Sequence, residues 1–98
     1  MPNLNIEMKQ LDALCRRNKV RELAVFGSTV RGQARPDSDL DLLVEFEPAA
    51  QIGFLALARL TDELATLFHA RIDLVPKAGL HPRIRAEVLA EAEVLFAA

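Results

Sequence analysis

Apolar residues recur at Leu4, Met8, Leu11 and Cys15, with Leu14 alongside, at spacings of four, three and four. That is the stripe of an amphipathic helix, and it turns Cys15 toward a core as a small hydrophobe. Leu23-Ala24-Val25-Phe26 is a short apolar run that stops at Gly27 and reads as a buried strand. Gly27-Ser28 then opens a short helical segment over Thr29-Val30-Arg31, and Gly32 supplies the left-handed residue that closes such a turn. Arg35-Pro36-Asp37-Ser38 has turn chemistry. From Asp39 to Phe46 the pattern alternates: Leu40, Leu42, Val44 and Phe46 on one face, Asp39, Asp41, Leu43 and Glu45 on the other. Pro48 ends that strand. Leu57, Leu60, Leu64 and Leu67 mark a helix from about Ile52 to Phe68. Arg71 to Val75 is a further strand, with Ile72 and Leu74 on one face and Asp73 on the other; Pro76, Lys77 and Gly79 break it. Pro82 suits the first turn of a last helix, whose apolar side is Ile84, Val88 and Leu95. The order is helix, strand, short helix, strand, helix, strand, helix. It predicts an α/β (α+β) fold, a small sheet with helices packed against it. The pattern leaves open whether the Asp39 strand pairs parallel or antiparallel.

Composition narrows what such a sheet is for. The 98 residues suit a single domain, 1–98, and 51% hydrophobic against 27% charged residues is a globular balance. The most apolar run, Ile52 to Ala58, is too short to cross a bilayer, and the N-terminus lacks a secretion signal's basic and apolar regions. A single cysteine excludes an internal disulfide framework and fits a reducing, cytoplasmic setting. A net charge of −2 argues against a general nucleic-acid-binding face, though not against binding one nucleotide. Two histidines and one cysteine all but exclude a zinc site, so a metal here would be a hard ion held by carboxylates.

The candidate chemistry lies in Gly27-Ser28, ten intervening residues, and Asp39-Leu40-Asp41. Glycine at a strand end lets backbone approach a ligand, and a helix start behind it offers N–H groups to phosphate, with the Ser28 hydroxyl adding a bond. Asp39 and Asp41, two apart on a strand, project from one face and suit Mg²⁺. Asp73 would join them if its strand lies alongside. The bland alternative is a solvated strand face. Against it, two carboxylates about 5 Å apart repel by roughly 3 kcal/mol at an effective dielectric of about 20, so a cluster needs an offsetting cation, proton or arginine.

Phe26-Gly27-Ser28-Thr29-Val30-Arg31-Gly32 with Ser38-Asp39-Leu40-Asp41-Leu42-Leu43-Val44 resembles the signature of the minimal nucleotidyltransferases, within the polymerase-beta-like nucleotidyltransferase superfamily. The resemblance continues through Arg71-Ile72-Asp73-Leu74-Val75, Leu80-His81-Pro82-Arg83-Ile84-Arg85 and a helix ending at Glu91-Ala92, nearly the whole chain. It implies the nucleotidyltransferase fold, a small mixed sheet. It also implies that Gly27 and Ser28 hold the triphosphate of ATP and that Asp39, Asp41 and Asp73 bind two Mg²⁺ ions. Arg31 matches a recurrent basic position, open both to phosphate contact and to structural pairing with a carboxylate. The implied reaction is attack by a hydroxyl on the α-phosphorus of ATP, with pyrophosphate leaving.

The sheet and helices use nearly every residue, so a partner is expected to supply the acceptor. In the resembling family the small transferase is often the antitoxin of a HEPN-type RNase toxin, bound to it in a hetero-oligomer, and some members transfer AMP to a toxin tyrosine. The rival from another class is a binding module that neutralises the toxin by occlusion alone; a third option, modification of a small molecule, sits poorly with so short a chain. Elsewhere, His69 reads as a helix-end residue and His81 as the residue leading into the last helix. Lys77, Arg83 and Arg85 read as a solvated basic cluster, and Glu87, Glu91 and Glu93 as a solvated helix face. Leu95 and Phe96 either close the core or dock a partner.

Overall fold

The structure, a computed structural model, describes residues 6–35 and 37–98. Leu4 and Pro36 of the sequence expectations lie outside them. Helix α1, Met8–Arg17, buries Leu11, Leu14 and Cys15, while Met8 is half exposed. Its end is tied to the next helix: the Asn18 side chain donates to the Leu14 carbonyl at 2.8 Å and to Glu63 Oε1 at 3.0 Å. Strand β1, Val20–Phe26, starts three residues before the expected run. A one-turn 3-10 segment, Gly27–Thr29, follows, and then strand β2, Leu40–Phe46. Helix α2, Phe54–Phe68, buries Leu60 and Leu64 and ends at His69, whose φ of 54° closes the helix in the left-handed region. Strand β3, Ile72–Pro76, a second 3-10 turn at Lys77–Gly79 and helix α3, Pro82–Glu91, come next. Pro82 opens α3 as expected, and His81 caps it, its Nδ1 accepting the Arg83 N–H at 3.1 Å.

The sheet order is β3-β2-β1-β4, and it is mixed. β2 lies antiparallel to β1 and parallel to β3, because the fifteen residues of α2 carry the chain back to the end where β2 began. One element departs from expectation. The last helix stops at Glu91, and residues Glu93–Ala97 form β4, antiparallel to β1. Leu95 is therefore not on a helix face. The spacing of Ile84, Val88 and Leu95 is coincidental; Val94 and Phe96 favour the extended backbone, and β1 offered an open edge to pair with. The register skips one residue between Leu23/Phe96 and Ala24/Val94, a bulge at Leu95. Leu95 and Phe96 are accordingly both buried in the main core, which settles them as core closure.

That core fills one face of the sheet, where α1 and α2 pack on Leu23, Val25, Leu42 and Val44. The other face carries a smaller cluster: Ala24, Leu43, Leu80 and Val88. The two sides of β2 thus divide as the alternation predicts, and beyond the small cluster the second face is left to polar groups. Cys15 is wholly buried and its thiol is pushed up to about 12, by burial first and by Asp12 second. Thiol-reactive dye at pH 8 should leave the native protein unlabelled and react fully once it is unfolded. Rapid native labelling would show that α1 readily leaves the sheet.

Candidate functional site

One end of the sheet gathers the end of β1, the starts of β2 and β3, and the end of α3. In the parallel register Asp41 stands directly opposite Asp73, and across the other ladder it faces Phe26. Directly opposed strand residues share a face, so the Asp41 and Asp73 carboxylates lie side by side. The Asp41 carboxyl is held above its ordinary range. Burial is the largest cause, followed by the charge of Asp73 and a hydrogen bond with it, then Asp39; Arg31 pulls the other way.

Asp39 shares this face just ahead of β2, but it is engaged elsewhere. Arg71 Nε reaches Asp39 Oδ1 at 3.0 Å, and Arg71 Nη2 donates to the Asp37 carbonyl at 2.7 Å. Among the described residues no three Asp, Glu, His or Cys side chains are gathered closely enough to hold a metal ion. Two of the three predicted acids are assembled, and the third stands one step away. Both side chains of the Asp39–Arg71 pair are at least half exposed, so it is worth no more than about 1 kcal/mol and is a weak restraint. The donor set is all hard carboxylate oxygen, and burial together with the neighbouring Asp73 and Asp39 charges makes an ionised Asp41 costly with no cation beside it. That chemistry fits Mg²⁺.

Gly27 has φ +79°, and a Cβ placed there would run into the Asp41 carboxylate. Glycine is thus what lets the carboxylate lie against the turn. The turn continues through Arg31 N–H to the Gly27 carbonyl at 3.2 Å and Gln33 N–H to the Ser28 carbonyl at 2.8 Å, and Gly32, at φ +71°, closes it as expected. The expected helix start is corrected: three residues of 3-10 turn carry no macrodipole worth the name. The Gly27 N–H is moreover donated to Glu91 Oε1 at 2.9 Å. Ser28 is half-buried beside it. Arg31 is in the structural pairing: its Nη1 lies 3.0 Å from both Glu91 oxygens, and its Nε donates to Gln33 at 3.2 Å.

Glu91 is the residue that sequence reasoning missed, since a solvated helix face was expected there. The available signal was its place in the last turn of α3, where the helix dipole favours cations. Glu93, unlike Glu91, is not on the helix; it is half-buried in β4. Within the basic cluster Arg83 and Arg85 are exposed as expected, and Lys77 and Arg85 make contacts within the fold. Lys77 sits 4.0 Å from both Glu22 and Glu45, and Arg85 donates to the Lys77 carbonyl at 3.0 Å. A recess of about 450 Å³ at that far end of β2 and β3, and one of about 460 Å³ between α1 and α2, are both lined without the aspartates. Asp39 and Asp73 are exposed and Asp41 is half-buried, so the carboxylates form a shelf open to solvent. Among the described residues no helix is long and apolar enough to cross a membrane.

Residues 7–95 match the nucleotidyltransferase domain family. Over 72 residues, 74% of this chain and 71% of the relative, the sequence is 46% identical to protein adenylyltransferase MntA of Thermococcus cleftensis. The fold is similar to a solved candidate minimal nucleotidyltransferase, with a TM-score of 0.70 and 43% identity, covering 91% of this chain and 96% of that one. It also matches a chain in the complex of tri-AMPylated HEPN toxin of Shewanella oneidensis with its MNT antitoxin. There the TM-score is 0.67 at 23% identity, covering all of this chain and 74% of that one, a likeness of fold.

Proposed function

Since the chain belongs to the nucleotidyltransferase domain family, we propose that it is a protein adenylyltransferase that moves AMP from ATP to a partner protein. The partner is a HEPN-type toxin, the acceptor a tyrosine hydroxyl, and this chain the antitoxin. The observation that carries the reading is the Asp41–Asp73 pair set directly against the Gly27 turn. A solvated strand face has no need to press a carboxylate onto a backbone that only glycine can supply. The 46% identity to a protein adenylyltransferase supports the same choice of donor and acceptor class.

In this reading Asp41, Asp73 and Asp39, once released from Arg71, hold Mg²⁺. When bound, the ions lower the pKa of the acceptor hydroxyl and offset the charge of the leaving pyrophosphate. The Ser28 hydroxyl donates to the triphosphate, and Arg31 adds positive charge on the same side. The Asp73 carboxylate, exposed at the rim, accepts the proton of the incoming tyrosine hydroxyl. The phenolic oxygen bonds to the α-phosphorus, the bond to the bridging oxygen breaks, and pyrophosphate leaves. The open shelf leaves the acceptor to be presented by the partner.

Incubation with α-labelled ATP, Mg²⁺ and a lysate of the source cells tests this. Wild type should label one small protein on tyrosine, and the Asp39→Ala, Asp41→Ala double variant none. An unlabelled lysate in which the partner is present and the chain binds ATP would leave occlusion as the mode of action.

A further inference from the structure

Glu91 links two parts of the site that no other side chain joins among the described contacts. It sits at the last position of α3, and its carboxylate is three-quarters buried. One oxygen accepts the Gly27 N–H at 2.9 Å, and both lie 3.0 Å from Arg31 Nη1. An acid at a helix C-terminus is opposed by the dipole, so α3 gains nothing from it locally. Arg31 meanwhile has a competing attraction. Its backbone N–H bonds the Gly27 carbonyl at 3.2 Å, in the turn that lies against the Asp41 carboxylate, and Asp41 stands directly opposite the like-charged Asp73, where the Arg31 charge is felt. A freed guanidinium would close on that pair as a fork on two carboxylates, filling the place a metal ion needs.

We infer that Glu91 is a positioning residue: by accepting both the Gly27 amide and the Arg31 guanidinium, it fixes the turn that presents Ser28 and holds Arg31 off the Asp41–Asp73 pair. The inference rests on the proposed metal role of that pair.

The test is a double-variant cycle read by Mn²⁺ binding to the full chain, with free Mn²⁺ followed by electron paramagnetic resonance. Glu91→Gln should weaken Mn²⁺ binding about ten- to a hundredfold, the scale for partners one shell out from metal ligands. Adding Arg31→Gln to it should restore the affinity to within about twofold of Arg31→Gln alone, because the intruding cation is gone. A merely structural glutamate would not be rescued by removing an arginine. Unchanged affinity in Glu91→Gln, or a double variant that binds no better than Glu91→Gln, overturns the inference. Hydrogen exchange at the Gly27 amide gives a reading without metal: protection in wild type should be lost in Glu91→Ala. If wild type takes no Mn²⁺, the metal role itself fails and the amide decides alone. Faster exchange then sustains Glu91 as the turn's anchor, and unchanged exchange overturns it.

Discussion

Asp41→Asn is expected to cut AMP transfer severely and, in metal-free buffer, to make the protein more stable. The two effects have one cause. Asp41 is partly buried beside Asp73, and the ionised pair repels in the absence of a cation. At about 5 Å and an effective dielectric of about 20 the repulsion is roughly 3 kcal/mol, and the solvent reaching this open shelf reduces it to about 1. The neutral amide removes that cost, which for a domain of this size raises the melting temperature by about 4–8 °C. Transfer falls by on the order of 100- to 1,000-fold, the scale on which one charge-stabilising group acts. The pH dependence has a definite sign. The folded state holds the Asp41 proton more tightly than the unfolded chain, so this group's contribution is fully present below its ordinary value of 3.8. It is lost as the pH rises through the raised folded value. Melts from pH 4 to 7 should therefore separate the variant from wild type increasingly toward pH 7, and saturating Mg²⁺ should close the gap. An inactive variant that melts below wild type at pH 7 would mean that Asp41 supports the fold instead. Loss of binding to the proposed partner with the fold intact would place Asp41 in the interface.

The parts of this site that were legible in sequence are those written in local pattern. The period-two alternation of β2 places Asp41 and Leu42 on opposite faces of the strand, and Asp41 and Glu45 are half-buried as it predicts, while Leu43 on their face is buried by the small second cluster. Gly32 closes its turn and Pro82 opens its helix because each is a local backbone preference. Pairing is not local. Whether β2 runs with or against its neighbours depends on where α2 returns the chain, and only that places Asp73 beside Asp41. The C-terminal strand was hidden for the same reason: five residues carry too few periods to distinguish a helix face from a bulged strand that buries two neighbours. Glu91 and Arg71 belong to long-range pairs, sixty positions from Arg31 and thirty-four from Asp37, which no spacing rule links. The resemblance supplied Arg31 with two roles, and only the geometry shows which contact it makes here.

Gly27→Ala should damage both stability and transfer far more than Gly32→Ala, although both glycines have positive φ. At Gly32 an added Cβ meets nothing within 4 Å, so the variant pays only for left-handed backbone, about 1 kcal/mol. Its melting temperature should fall by about 4–8 °C, with transfer retained. At Gly27 the same backbone cost applies, and the new methyl also overlaps the Asp41 carboxylate. That carboxylate cannot retreat freely, because Asp73 stands on the neighbouring strand. Overpacking of this kind adds about 1–3 kcal/mol, for a total of about 2–4. It also displaces a proposed metal ligand, so transfer is lost even in protein that remains folded. Asp41→Ala made on top of Gly27→Ala removes the overlapping atoms while leaving the backbone strain. The double variant should regain stability to near the level of Gly32→Ala and stay inactive. A double variant no more stable than Gly27→Ala would show that the turn itself, rather than the carboxylate pressed against it, demands glycine at this position.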